Sequence, residues 1–328
     1  MRQAGTVLVL RALGVGDLLT AVPALRGLRA AYPSHRMVLA APEPLRELAT
    51  LTAAIDDLLP AAQLGPIRSP SPAVAVNLHG QGPQSTAALR ALHPATLLTH
   101  GGPGVAGPAW DSDLHEVHRW CRLLEYFGIP AYPADLELAR PVDPNPAPGA
   151  AVVHPGCAFL ARRWPADRYA VVTRRLAEIG LPVVVTGNAD QRPLALEVAA
   201  AAGLPQRAVL AGQTSLTQLA ALVADASLVV CGDTGVAHLA TAYGTPSVVL
   251  FGPVSPRHWG PPRQRRQHVA LWAGMTGDTF ADRPDPGLLR ITPAEVLAAA
   301  ARVCRLSPPL TPGPAPPGAA FWSFSTGP

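Results

Sequence analysis

Apolar residues fall along this chain in two alternating patterns. Short runs rich in β-branched residues occur near residues 6–10, 37–40, 74–78, 96–98, 150–153, 182–186, 208–210, 228–231 and 247–251, and each reads as a strand. Between them the apolar positions shift to helical spacing. Leu18, Val22, Leu25 and Leu28 share one helix face, residues 170–179 and 216–223 supply others, and a last helix runs from beyond Ile291 to about Arg305. Strand and helix in alternation predict an α/β fold of parallel strands joined by crossover helices.

The alternation breaks at residues 140–149, where Pro144, Pro146 and Pro148 exclude both helix and central strand. This stretch reads as a Pro-rich linker between two similar halves, 1–139 and 150–306. Residues 307–328 are too rich in proline and glycine to pack and read as a disordered tail, although Phe321, Trp322 and Phe324 near its end are residues that can dock on a groove.

At 328 residues and 48% hydrophobic content the chain has material for two buried cores. Its formal charge is +4, and all 26 cationic side chains are arginine, which excludes amine chemistry through lysine. The arginines are scattered except at Arg162-Arg163, Arg174-Arg175 and Arg263/Arg265/Arg266. That distribution favours a phosphate or an acidic surface as partner, with no nucleic-acid signature. Cys121, Cys157, Cys231 and Cys304 stand far apart, as expected of a reduced cytoplasmic protein. Arg11 and Asp17 interrupt the early run of 7–10 before it resembles a signal peptide, and no segment has the roughly 18 apolar residues of a membrane span. A peripheral contact with the inner face of a membrane is compatible with this pattern.

Three strand-to-helix turns carry the candidate chemistry. Gly232-Asp233-Thr234-Gly235-Val236-Ala237-His238 follows an apolar run and opens a helix, so unpaired N–H groups and the positive end of the helix dipole face an incoming anion. The missing side chain of Gly235 lets that anion approach the backbone, while Asp233 taken alone reads first as a helix cap with no ligand. Gly14-Val15-Gly16-Asp17 invites a dinucleotide reading, but the third glycine of the fingerprint falls at Leu19. Asp17 also places negative charge where a pyrophosphate would sit; it is suited to accept a proton or to cap the helix. In His154-Pro155-Gly156 the strand-end Gly156 opens room for a ligand, and Arg162 follows as a fixed positive charge.

In their order these stretches resemble glycosyltransferase family nine, the ADP-heptose:lipopolysaccharide heptosyltransferase family, over residues 5–260. The resemblance is carried by residues 10–17 with Pro23 and Leu25, by 154–156 with Arg162-Arg163-Trp164-Pro165, and by Leu210-Ala211-Gly212-Gln213-Thr214-Ser215-Leu216. It continues through 232–235 with His238-Leu239-Ala240, then Gly244-Thr245-Pro246 and Phe251-Gly252-Pro253. It implies a GT-B architecture, two Rossmann-like domains with parallel sheets facing a central cleft, with acceptor on the first half and nucleotide-sugar on the second. Asp17 would be the catalytic base of an inverting transfer to a hydroxyl of a glycan or glycolipid. Arg162 and the Thr234 and Gly235 amides would hold the departing diphosphate, Asp233 the donor sugar, Thr214 the region of the base, and His238 the pocket wall. The donor implied is an ADP-sugar, a substrate rather than a cofactor, and no metal is required. Asp111-Ser112-Asp113 reads as a helix cap rather than a metal motif.

This chain departs from the family's usual pattern at Arg162, where Lys is common, and at Asn77-Leu78-His79-Gly80, where an acidic residue and Gln are common. A nucleotide-cofactor oxidoreductase would need the glycine fingerprint that is broken at Leu19. A nucleotide-sugar epimerase would need further acid and base residues. A non-catalytic nucleotide-sugar-binding protein would have no use for Asp17.

Overall fold

The structure, a computed structural model, describes residues 5–306. It contains two five-stranded sheets whose paired strands are all parallel. The first is built from β1 (Thr6–Leu10), β2 (Arg36–Ala41), β3 (Asp57–Pro60), β4 (Val74–Asn77) and β5 (Thr96–Leu98), in the order β3-β2-β1-β4-β5. The second holds β6 (Ala151–His154), β7 (Val183–Val185), β8 (Leu228–Gly232), β9 (Ser247–Phe251) and β10 (His268–Trp272), in the order β10-β9-β8-β6-β7. The two halves are wound differently. Each nevertheless reverses its winding beside its first strand, at β1/β4 and at β6/β8, and such switch points are where open α/β sheets bind ligands at their carboxyl ends.

Helices α1 (Val15–Thr20), α2 (Val22–Ala31), α3 (Arg46–Thr50), α4 (Gln84–Arg90) and α5 (Glu116–Tyr126) belong to the first half. The second half carries α6 (Ala166–Glu178), α7 (Arg192–Ala202), α8 (Leu216–Ala224), α9 (Gly235–Tyr243), α10 (Pro256–Trp259), α11 (Pro286–Leu289) and α12 (Pro293–Leu306). Leu18, Val22, Leu25 and Leu28 are all buried, as their spacing predicts, but they fall on two helices that meet at Ala21.

Three strand assignments change. β3 and β10, each at one edge of its sheet, have no counterpart among the expected strands. β3 pairs on one side only and ends at Pro60, a residue that cannot donate to a ladder. Residues 208–210 make a single bridge, Val185 with Val209, after the short 3₁₀ turn Gln206–Ala208, so this apolar run lies beyond the end of the sheet.

One apolar cluster unites the halves. It runs from Val7, Val9 and Leu25 through Val236 and Leu239 to Val152, Val229 and Phe251, all buried. A second covers the opposite face of the second sheet beneath α6, α7 and α12. Residues 140–149 pass between the halves without helix or strand, tied to the second by Asn145 Nδ2 donating to Asp225 Oδ2 at 3.1 Å. The tail 307–328, with its aromatic residues, lies outside the described residues.

Candidate active site

The three candidate turns converge. Gly14 to Asp17 at the carboxyl end of β1, His154 at the end of β6, and Asp233 to Gly235 after β8 line one cavity of about 370 Å³, together with Phe159, Arg162, Gln191, His238 and Trp259. Asp17 comes from one half, and the Arg162/Asp233 pair from the other.

Behind Asp17 lies Arg11, which is buried. Its Nε donates to the Asp17 carbonyl at 2.7 Å, its Nη1 to the Leu78 carbonyl, and its Nη2 to Glu116 Oε1 at 3.0 Å and Thr20 Oγ1 at 3.2 Å. The guanidinium also packs 4.7 Å from the centre of the Trp120 ring. Glu116 is shared with Arg119 and with Trp120 Nε1 at 2.9 Å, so a buried ionic network fixes the first turn of α1 against α5. Asp17 Oδ2 accepts the Gly14 N–H at 3.1 Å, and Oδ1 lies 3.5 Å from Arg11 Nη2. The carboxylate is therefore a helix cap, and its side chain still keeps 27% of its surface exposed in the cavity wall. The two roles coexist because a carboxylate has two oxygens.

Asp233 does not cap α9; Thr234 occupies that position. The Asp233 carboxylate instead pairs with Arg162, Oδ2 to Nη1 at 3.1 Å. Burial pushes its pKa up to about 6, against the opposing pull of Arg162 and with a further push from Asp17 across the cavity. His238 is held well below its usual value, to about 4, by burial first and then by the charges of His115 and Arg11, so it lines the wall as a neutral ring. His154, also lowered to about 4 by burial, sets Nδ1 3.0 Å from Thr186 Oγ1, a structural role.

One glycine assignment is corrected, and another acquires a second role. A Cβ on Gly235 would lie 2.7 Å from Val15 Cβ, and one on Gly16 would lie 3.0 Å from His238 Cδ2. The absent side chain of Gly235 therefore admits Val15 of the first half, and Gly235 still lines the cavity. Gly156 does not line the cavity, because the Gln191 amide fills the space a Cβ would take. The Asp111-Ser112-Asp113 stretch is corrected too. α5 is capped by His115, whose Nδ1 accepts the Val117 N–H at 3.2 Å, while Asp111 accepts the Asp113 N–H at Oδ1 and lies 3.6 Å from Arg122 Nη1 at Oδ2.

Thr214 lies in an adjoining chamber of about 260 Å³, with Asn188, Ser215, Leu216 and Leu219. The two chambers share Val15, His154, Gln191 and Gly235. Gln191 is the residue that sequence reasoning missed at their junction; its signal was the turn after β7, a strand end like the three turns already singled out. Trp259 and Phe159 were missed as well, being apolar side chains with no motif of their own.

A family model described as glycosyltransferase family 9 (heptosyltransferase) matches residues 109–280. The chain belongs to this family. The matched segment carries His154, Arg162, Thr214 and the 233–238 turn, while Asp17 lies outside it. The chain is 35% identical over 151 residues to lipopolysaccharide heptosyltransferase 2 of Escherichia coli K12, an alignment covering 44% of this chain and 43% of that protein. It thus spans under half the length of the curated relative. A solved family 9 glycosyl transferase from Veillonella parvula superposes with a TM-score of 0.74 at 19% identity, covering 94% of this chain and 99% of that one. The E. coli ADP-heptose lps heptosyltransferase II gives 0.70 at 20% identity over 92% and 99%. These superpositions show that the two halves have the GT-B arrangement of the family.

Proposed function

We propose that this chain transfers heptose, or a closely related sugar, from its ADP-sugar to a hydroxyl of a glycan or glycolipid, with inversion at the anomeric carbon and without a metal ion. The observation that carries this reading is the meeting of Asp17 and the Arg162/Asp233 pair, from opposite halves, on one cavity. The names of the solved and curated relatives support the donor and the acceptor class.

In the proposed reaction Asp17 Oδ1 removes the proton of the acceptor hydroxyl as its oxygen attacks the anomeric carbon. The bond from that carbon to the diphosphate oxygen breaks, and the electron pair leaves with ADP. Arg162 and the first amides of α9 stabilise the charge that grows on the leaving diphosphate, the place where fixed donors act most strongly. Asp233 sits where it can accept hydroxyl groups of the sugar. The chamber of Thr214 and Leu219 offers an apolar slot for the base, and Gln191 stands between base and sugar. A glycolipid acceptor would be met at a membrane surface; among the described residues no helix is long and apolar enough to cross one.

Thermal stabilisation by a panel of nucleoside diphosphates and nucleotide-sugars, in the presence of a metal chelator, tests the reading, since a ligand of the folded state raises its stability. A rise with ADP and ADP-heptose that chelation leaves intact supports it. A response to nicotinamide or flavin cofactors alone overturns it.

A further inference from the structure

A second cavity, about 590 Å³, lies between the halves, walled by the start of α5 with Pro133, Ala134 and Leu136 of the first and by Pro256, Arg257 and residues 260–265 of the second. Its volume falls within the range of small-molecule sites. Arg257, Arg263 and Arg265 line it together with His115 and His118, and no carboxylate does.

The cavity floor is held in place. His115 accepts the Val117 N–H at Nδ1, so Nε2 carries the ring proton and donates it to the Gly260 carbonyl of the other half at 2.9 Å. Arg265 spans the same junction, Nη1 donating to the Thr241 carbonyl at 2.8 Å and Nη2 to that of Ala134 at 3.3 Å. Neither contact neutralises its charge. Arg257 and Arg263 are exposed and make no ion pair among the described residues. Arginines gathered without a counter-charge repel one another, and a planar fork fixed in a cleft is suited to phosphate or carboxylate.

We infer that this cavity is a second anion site, separate from the nucleotide-sugar cleft, that receives a phosphate- or carboxylate-bearing group of the acceptor. The word acceptor rests on the transferase reading above; the anion chemistry rests on the arginines. His238 and Trp259 on one side and Gly260 on the other separate the two cavities. An acceptor holding its acidic group here would contact both halves.

The test is calorimetric titration of the full chain with inorganic pyrophosphate while ADP saturates the donor cleft, repeated on the R257Q/R263Q variant. Pyrophosphate binding in the presence of ADP, weakened tenfold or more in the variant with ADP affinity unchanged, is expected. Pyrophosphate excluded by ADP, or bound equally by the variant, overturns the site. A transfer assay identifies the source of the anion. A tenfold rise in acceptor KM in the variant, for an acidic acceptor and not for a neutral one, supports the acceptor. An unchanged KM overturns that assignment in favour of a free anion. Should no donor be turned over at all, the transferase reading fails while the pyrophosphate titration still decides the cavity.

Discussion

Val15 rests in the space left by the absent side chain of Gly235, so close that a Cβ there would lie 2.7 Å from Val15 Cβ. The first turns of α1 and α9 thus touch across the two halves, and the apolar cluster continues beneath them. Asp17 reaches the donor cavity because these turns abut.

Gly235→Ala must therefore push the halves apart. Overpacking of this kind costs about 1–3 kcal/mol, and the reacting groups are displaced with it. Turnover is expected to fall at least tenfold and to recover partly in the V15G/G235A double variant. Wild-type turnover in Gly235→Ala would show that this contact does not align the site.

The Asp233 carboxyl titrates near 6 in the folded protein against an ordinary value of 3.8. A raised value means that the folded state holds the proton more tightly, so this group's contribution to stability is present below pH 4 and is lost as pH rises through 6. The stability difference between wild type and Asp233→Asn, read from urea midpoints, is expected to move in favour of the variant by up to about 3 kcal/mol between pH 4 and pH 7.5. A difference independent of pH contradicts the burial argument.

Arg162 is the fixed cation of the cavity. Removing a charge-assisted hydrogen bond costs about 1.5–3 kcal/mol, so Arg162→Ala should weaken ADP binding by roughly 10- to 150-fold and slow turnover as well. Arg162→Lys keeps the charge and loses the fork; it is expected to fall between the two. Unaltered affinity and turnover in Arg162→Ala would reduce this residue to a surface charge.

Glu116 joins Arg11 and Arg119 in a buried network. Breaking such a pair by removing one partner costs about 3–5 kcal/mol because a buried charge is left uncompensated. Thermal and denaturant midpoints of Glu116→Gln are expected to drop accordingly. An unchanged midpoint would mean that Arg11 finds water or another acceptor.

How much of this was legible beforehand depends on where the information lies. The central strands β1, β4, β6, β8 and β9 were readable because their runs are apolar and β-branched, and the edge strands β5 and β7 were readable too, whereas β3 begins with Asp57 and ends with Pro60 and β10 carries one β-branched residue, Val269. Asp17, Arg162 and Asp233 were readable because they sit on strand-to-helix turns whose sequence is distinctive. The roles of Gly156 and Gly235 were not. What fills the space beside a glycine, Gln191 in one case and Val15 in the other, comes from residues distant in sequence. Arg11 lay within the first motif, yet nothing local announced its partner Glu116, 105 positions away.

The most direct measurement is the rate of ADP release from ADP-heptose by Asp17→Asn in the presence of acceptor, with ADP affinity determined alongside. Asparagine can still accept the Gly14 N–H, so the helix cap survives while the base is lost. General-base catalysis contributes about 10²–10⁴ in rate, and a loss of that size with unchanged ADP affinity is the expected result. Near-normal turnover would contradict the assignment of Asp17 as the base and reduce it to a cap, and loss of ADP binding would show that it acts on the donor instead.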